Sequence, residues 1–284
     1  MKKIIIILSA LLLLASCQKE SHVPAPEETV VTYTVQTPVE FEVKSGENGA
    51  GSEINALWYG VYHKKGDGSY VYIPEVSDFV EEITDPLNIK VSIKLFKEQE
   101  YRLVFVAQHC ISSVQRNLSY VYTITDDGVM SVNQNAPITS GDQLEAFVYV
   151  DDVELLIGNE VKDITLNRIV SQVNICTSSE TLPEKLNVSV SGTPESYNLF
   201  TGSFSEKTVD LAFENLNVPG DDMTVSNNSY KRLTTLYFLG NNKIDITVSD
   251  AADNENSTSI SQIDNKVNYK TNIAGNILPE NKTI

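Results

Sequence analysis

Six side chains stand out as candidates for chemistry: Cys17, Cys110, Cys176, His22, His63 and His109. A cysteine nucleophile needs a base within hydrogen-bond reach. His109 and Cys110 are adjacent in an apolar run, VFVAQHC, that reads as a strand. Neighbours on a strand point to opposite faces, so the two side chains do not meet. His22 lies in a polar stretch, and His63 precedes the turn signal Gly66-Asp67-Gly68. No His, Cys and acidic residues recur at zinc-ligand spacing. Gly46 to Gly51 (GENGAG) is glycine-rich but opens no helical pattern, so it is not read as a phosphate loop. Asp221-Asp222 and Asp250 to Glu255 have the oxygen-rich composition of calcium loops, although solvated loop charge explains them more simply. The sequence therefore predicts no catalytic residue, no metal and no cofactor, and the chain is read as a non-enzyme. Cys110 and Cys176 both close strand-like runs. They are two buried free thiols or one disulfide, and sequence does not supply the separation that decides.

Cys17 is different, because its surroundings assign it a chemistry. Lys2 and Lys3 form a basic start, Ile4 to Leu14 are almost wholly apolar, and Leu14-Ala15-Ser16-Cys17 runs small residues into a cysteine. This is the pattern of a secretory signal peptide, with a lipobox cysteine at the cleavage point. The apolar run is too short for a membrane span, which needs about 20 residues. Cys17 is thus expected to become the lipidated first residue of a body held to a membrane outside the cytoplasm.

The elements that follow must form that body. Hydrophobic residues make up 41% and charged residues 21% of the chain, proportions that suit a real core. The net charge is -17, and it becomes more negative once Lys2 and Lys3 leave with the signal. Such a surface repels phosphate backbones, and no basic stripe is present, so nucleic acid is excluded as a partner. Residues 18–29 (QKESHVPAPEET) read as a tether. From Tyr33 to Lys44, Tyr33, Val35, Val39, Phe41 and Val43 share one parity, which predicts a half-buried strand or strand pair. Pro38 sits on the polar parity and favours an edge or a break. Ile89 to Leu95 and Ile244 to Val248 alternate in the same way. Leu103 to Ala107 and Leu233 to Leu239 are apolar on both parities and should be central strands. Gly66-Asp67-Gly68, Asp126-Asp127-Gly128 and Gly240-Asn241-Asn242 suit tight hairpins. Only Ser77 to Ile83 reads as helical, with Ser77 as N-cap. In Asp163 to Cys176 the apolar parity flips around Asn167-Arg168, as in a strand that changes the core it faces. That strand is expected to be the last of a first sandwich and to lead into a second. The chain then divides into a signal (1–16), a tether (17–29), an N-terminal β-sandwich (30–178) and a C-terminal β-sandwich (179–284).

A lipobox and an all-β body are joined, in order, by Leu144-Glu-Ala-Phe147, Ile164 to Ile175, Thr234 to Leu239 and Tyr269 to Leu278. This combination resembles the fimbrillin superfamily, the subunits and anchors of Bacteroidales type V pili. The resemblance implies two tandem transthyretin-like Greek-key β-sandwiches, export as a lipoprotein, and joining of neighbours by β-strand addition. It implies other fimbrial subunits as partners, and an outer membrane reached through lipid on Cys17. Gln18-Lys19-Glu20 resembles the short charged signal for the outer face of that membrane. In stalk subunits of this family a trypsin-like protease removes the first strand. Here no arginine occurs between Cys17 and Tyr101, Lys44 is the only lysine in the right region, and only PENKTI follows Leu278. An anchor or accessory subunit therefore fits better than a polymerising stalk or tip subunit. The alternative is a surface adhesin or glycan-binding lipoprotein on the same fold. Its candidate aromatics are Trp58, Tyr59, Tyr62, Tyr70 and Tyr72; Trp58, Tyr62, Tyr70 and Tyr72 share a parity, so the exposure of that side decides the matter.

Overall fold

The computed structural model describes residues 27–38, 54–81, 83, 85–111, 120–154 and 157–278. Its first strands are β1 (Glu28–Gln36), β2 (Ala56–Lys64), β3 (Tyr70–Tyr72), β4 (Asp78–Val80), β5 (Ile89–Phe96), β6 (Tyr101–Gln108), β7 (Tyr122–Ile124) and β8 (Val129–Val132). Then come β9 (Ala146–Val153), β10 (Glu160–Thr165), β11 (Asn167–Arg168), β12 (Val170–Thr177), β13 (Lys185–Pro194), β14 (Tyr197–Asn198) and β15 (Ser203–Phe204). The last are β16 (Thr208–Asn217), β17 (Asp222–Val225), β18 (Asn228–Leu239), β19 (Asn242–Asp250), β20 (Ser257–Asn265) and β21 (Lys270–Gly275). The body is all-β.

These strands form five sheets: β10-β1-β5; β11-β9-β6-β2-β3 with β4 also on β2; β15-β14-β8-β7; β17-β18-β12-β21; and β16-β13-β19-β20. The first sandwich forms because alternation gives β1 and β5 one apolar face each. Val31, Tyr33 and Val35 join Val91, Ile93 and Leu95 against Val61, Leu103 and Phe105 of the larger sheet. β6 lies between β2 and β9 and is buried on both sides, as its two apolar parities require. Its other face, with Val104 and Val106, belongs to a second core that runs on through β12, β13, β18 and β19. β18 likewise lies between β17 and β12.

The parity flip marks a change of sheet. Within residues 160–177 the chain contributes β10 to one sheet, β11 to the next and β12 to a third. Ile164 and Leu166 enter the first core, whereas Ile169, Val173 and Ile175 enter the second. A boundary near residue 178 would leave β12 in the first sandwich. Instead β12 pairs with β18 and β21, because the switch occurs at the flip itself. The halves are also sewn together: β14 pairs with β8, so a hairpin at residues 197–204 extends a sheet begun by β7 and β8.

Three local expectations are corrected. The first strand begins at Glu28, inside the expected tether, and ends at Gln36; Val39 to Lys44 fall outside the described residues. Ser77 caps no helix. It follows a 3-10 turn at Pro74–Val76, where its hydroxyl accepts from Val61 N at 2.9 Å and donates to Ile73 O at 2.7 Å, and β4 continues as strand. Gly240-Asn241 forms no hairpin, since β18 and β19 lie in different sheets. Gly240 has φ +118, and a Cβ there would lie 2.6 Å from Pro194 Cγ, so glycine permits a tight corner between facing sheets.

At the crossing Arg168 and Glu145 form an ion pair with side chains only 1% and 4% exposed. Arg168 Nη2 and Nε donate to Glu145 Oε1 at 2.7 and 3.2 Å, and Nη1 donates to Asn268 Oδ1 at 3.3 Å. Its guanidinium carbon lies 4.6 Å from the centre of the Phe147 ring. Removing one member leaves an uncompensated buried charge. Arg168→Met should cost about 3–5 kcal/mol in urea unfolding, and adding Glu145→Met should restore a large part of that. Equal stability of Arg168→Met and the parent would contradict the structure.

Candidate functional site

β1 is the element nearest the expected lipid, and it is not an edge strand. It pairs in parallel with β10 from Val31 to Gln36 and antiparallel with β5 from Glu28 to Val35. Its ends are held as well. Asn159 Oδ1 accepts from Val30 N at 3.0 Å and Thr29 Oγ1 at 3.2 Å. Lys97 Nζ reaches Glu27 Oε1 at 2.6 Å, and Thr37 N donates to Pro86 O at 3.0 Å.

At the middle of β1 the Tyr33 hydroxyl crosses the sandwich and donates to Asp151 Oδ2 of β9 at 2.7 Å. Lys162 Nζ of β10 donates to the same oxygen at 2.8 Å. The Tyr33 ring is fully buried, with its centre 4.8 Å from that of Phe105. Burial, then the hydrogen bond and charge of Asp151, push the Tyr33 hydroxyl far above its ordinary value of 10.0. β1 is thus fixed along its length by main-chain bonds and at its centre by one polar side chain. Sequence reasoning missed this group. The signals were a tyrosine on an otherwise aliphatic parity and an aspartate in the apolar run AFVYVDDV.

The aromatic cluster does not form a sugar platform. Trp58 and Tyr62 are 5% and 0% exposed, and Tyr70 and Tyr72 are half-buried against the same core. The cover comes from the distant hairpin at 197–204. Phe200 meets the Tyr62 ring edge-on at 4.8 Å and lies 5.8 Å from Tyr70. Arg102 sits 4.3 Å over Tyr70 and pairs with Asp152 at 2.6 Å. The shared parity was legible; that the shared side is covered was not. Among the described residues a smaller opening of about 220 Å3 remains, where Trp58, Phe79, Tyr120 and Tyr122 meet Gln108.

The other candidates are spent structurally. Cys110 and Cys176 are both buried and are not joined to each other, and Cys176 Sγ lies 3.3 Å from Met223 Sδ. His109 Nε2 bonds Gln143 Nε2 at 3.2 Å, and the His63 ring lies 5.8 Å from that of Tyr101. Asp221 pairs with Arg232 at 2.9 Å and Asp222 with Lys231 at 2.8 Å. Asp250 and Asp253 cap turns through Ala252 N and Glu255 N. Among the described residues no three His, Cys, Asp or Glu side chains are grouped to hold a metal, and no helix is long and apolar enough to cross a membrane. Cys17, His22 and Gly46 to Gly51 lie outside the described residues.

A family model described as "Family of unknown function (DUF6562)" matches residues 57–284. A second, described as "Prokaryotic membrane lipoprotein lipid attachment site", matches residues 1–18. No curated protein matches. Among solved structures, the chain is similar to the fimbrial anchor protein Mfa2 from Porphyromonas gingivalis at 15% identity, covering 83% of this chain and 82% of that one, with a TM-score of 0.47. It is similar to a fimbrial assembly protein from Parabacteroides distasonis at 13% identity, covering 88% and 91%, with a TM-score of 0.40. The tip fimbrial protein Mfa3 from Porphyromonas gingivalis, with a C-terminal truncation, matches at 11% identity over 83% and 81%, with a TM-score of 0.41. No residue role passes from these proteins to this chain.

The buried tyrosines make stability depend on alkaline pH. Burial raises the hydroxyls of Tyr33, Tyr62 and Tyr122 above 10.0. Above that pH the unfolded chain releases protons that the native chain retains. Stability is therefore complete below about pH 10 and falls above it, by up to about 1.4 kcal/mol per pH unit for each such tyrosine. Urea midpoints measured against pH should show this fall, with the phenolate absorbance of these residues appearing only on unfolding. Tyr33→Phe should lose about 1.5–3 kcal/mol at neutral pH through the lost bond to a charged acceptor, and should flatten the alkaline slope. An unchanged slope would remove Tyr33 from the account.

Proposed function

Taking as premise that the chain belongs to the family of unknown function DUF6562, we propose that it is a non-enzymatic, lipid-anchored surface protein that serves as an anchor or accessory subunit of a fimbria. Cys17 carries the lipid and holds the body at the outer membrane, facing outward. The match of residues 1–18 to a lipid attachment site supports the first part.

The observation that carries the reading is the place of β1. A pull between lipid and body runs through residues 18–27 directly into this strand. Bonds between strands lie across the strand direction, so such a pull loads the whole ladder together. β1 has ladders on both flanks and the Tyr33 bond at its centre. That arrangement suits a strand that bears load and stays. The sequence agrees: no arginine precedes Arg102, and Lys44 is the only nearby lysine beyond β1. One acyl chain holds weakly, whereas two or more hold firmly, so the lipid is sufficient for an anchor. Neighbouring subunits join by strand addition at an open sheet edge. β10 offers one such edge, where Val161 within the strand and Ile157 just before it are 78% and 80% exposed. The covered aromatic face counts against the glycan-binding alternative.

Cys17→Ser tests the anchor. The variant should lose incorporation of labelled fatty acid and leave the membrane fraction, and fibres sheared from these cells should appear in the medium. Surface fibres that never co-purify with the parent protein would contradict the fimbrial reading, and labelled fatty acid retained by Cys17→Ser would contradict the lipid site.

A further inference from the structure

The flank of the second sandwich carries a second feature, far from β1 in sequence. β20 is the edge of one sheet and β21 the edge of the sheet facing it. Between them a groove of about 890 Å3 opens to solvent. Its apolar lining includes Ile263, only 6% exposed, Ile273 and Tyr269. Its polar lining includes Lys243, Lys266 and Lys270.

The two edges are not equivalent. β20 is interrupted: its register with β19 shifts between Ile244 and Ile246, Gln262 has φ 59, and Gln262 N turns back to Asp245 Oδ1 at 2.7 Å. Such a bulge blunts an edge against pairing. β21 has no such device. It runs regularly beside β12, and all six residues are half-exposed. Tyr269 O accepts from Gln172 N and Gly275 O accepts from Ser178 N, so the odd-numbered residues turn their main-chain groups toward β12. Alternation along a strand then turns those of Asn272 and Ala274 away from β12, to the open side of the strand that borders the groove.

Charge indicates what fits. The chain holds 38 acidic against 21 basic residues, yet this groove gathers three lysines and one aspartate. Asp264 pairs with Lys243. Lys266 lies 3.7 Å over the Tyr269 ring, and neither it nor Lys270 pairs with a carboxylate among the described residues.

We propose that the β21 edge and its groove are a docking site for an extended, acidic segment of another protein, in which apolar residues alternate with Asp or Glu. Main-chain bonds form to Asn272 and Ala274, apolar side chains cover Ile263 and Ile273, and carboxylates meet Lys266 and Lys270. The site deepens the reading of the chain as a subunit that joins neighbours and rests on that reading, but its test needs neither lipid nor fibre.

The probe is a labelled nine-residue peptide alternating valine with glutamate, titrated into the full chain in detergent. It should bind saturably, and its lysine analogue should bind at least about tenfold more weakly. Lys266→Glu with Lys270→Glu should reverse that preference while leaving the unfolding midpoint nearly unchanged. Amide exchange at Asn272 and Ala274 should slow when the glutamate peptide binds. Five results would each overturn the proposal. Absence of saturable binding, or equal binding of both peptides, removes the acidic occupant. Protection appearing at β10 places the peptide elsewhere. A variant ending at Leu278 that gains affinity shows the groove belongs to the chain's own tail. Competition by protein dimerisation shows that it belongs to a second copy. Cys17→Ser should bind the peptide as the parent does, so a failed anchor and a failed groove are told apart.

Discussion

The buried pair of Arg168 and Glu145 is the constraint on which the rest of the body depends. Two charges leave water here, and the cost is met only when several distant parts of the chain are in place together. Glu145 precedes β9, Arg168 ends the two-residue β11, and Asn268 comes from the turn between β20 and β21. Phe147 supplies a ring beneath the guanidinium. The pair thus fixes the point where the chain leaves one core for the next. The neighbouring 3-10 turn at Gly141–Leu144 tightens this junction. A Cβ on Gly141 would fall 1.8 Å from Thr235 O, so only glycine lets the turn press against β18. The Tyr122 hydroxyl then bonds Leu144 O at 2.6 Å, and its burial keeps the phenol protonated.

The two sandwiches are joined at a second place as well. The hairpin at 197–204 pairs with β8 and sets Phe200 over Gly128, where φ is +70 and any Cβ would strike the ring at 2.8 Å. With that seam and the ion pair, the two sandwiches are joined by hydrogen bonds and a buried charge pair as well as by the chain itself. In the proposed function β1, paired on both sides, takes the load from the lipid, and the open edges of β10 and β21 are left for partners. Among the described residues, Cys110, Cys176, His63, His109, Asp221, Asp222, Asp250 and Asp253 are packed, paired or used in turns.

Much of this was written locally. Alternation in Ile89 to Leu95, the double apolar parity of β6 and β18, and the flip at Asn167-Arg168 all follow from side chains alternating across a strand. What was not local was not legible. Gly240-Asn241-Asn242 has hairpin composition, but a sandwich corner uses the same residues. Ser77 has the type of an N-cap, yet its hydroxyl serves a strand. The common side of Trp58, Tyr62, Tyr70 and Tyr72 was correct, while its cover comes from Phe200, more than a hundred residues away. Tyr33 and Asp151 meet across a sandwich, a pairing that no periodicity encodes. The same holds for the β20–β21 groove, because a bulge at Gln262 leaves no pattern of its own.

The central claim is that β1 and the lipid stay joined to the body. N-terminal analysis of the protein taken from intact cells tests this most directly. The account predicts an acylated peptide beginning at Cys17, with the chain continuous through Lys44 in the surface-exposed form. A surface form beginning after Lys44 would mean that β1 is removed, which would contradict the anchor and restore a polymerising subunit.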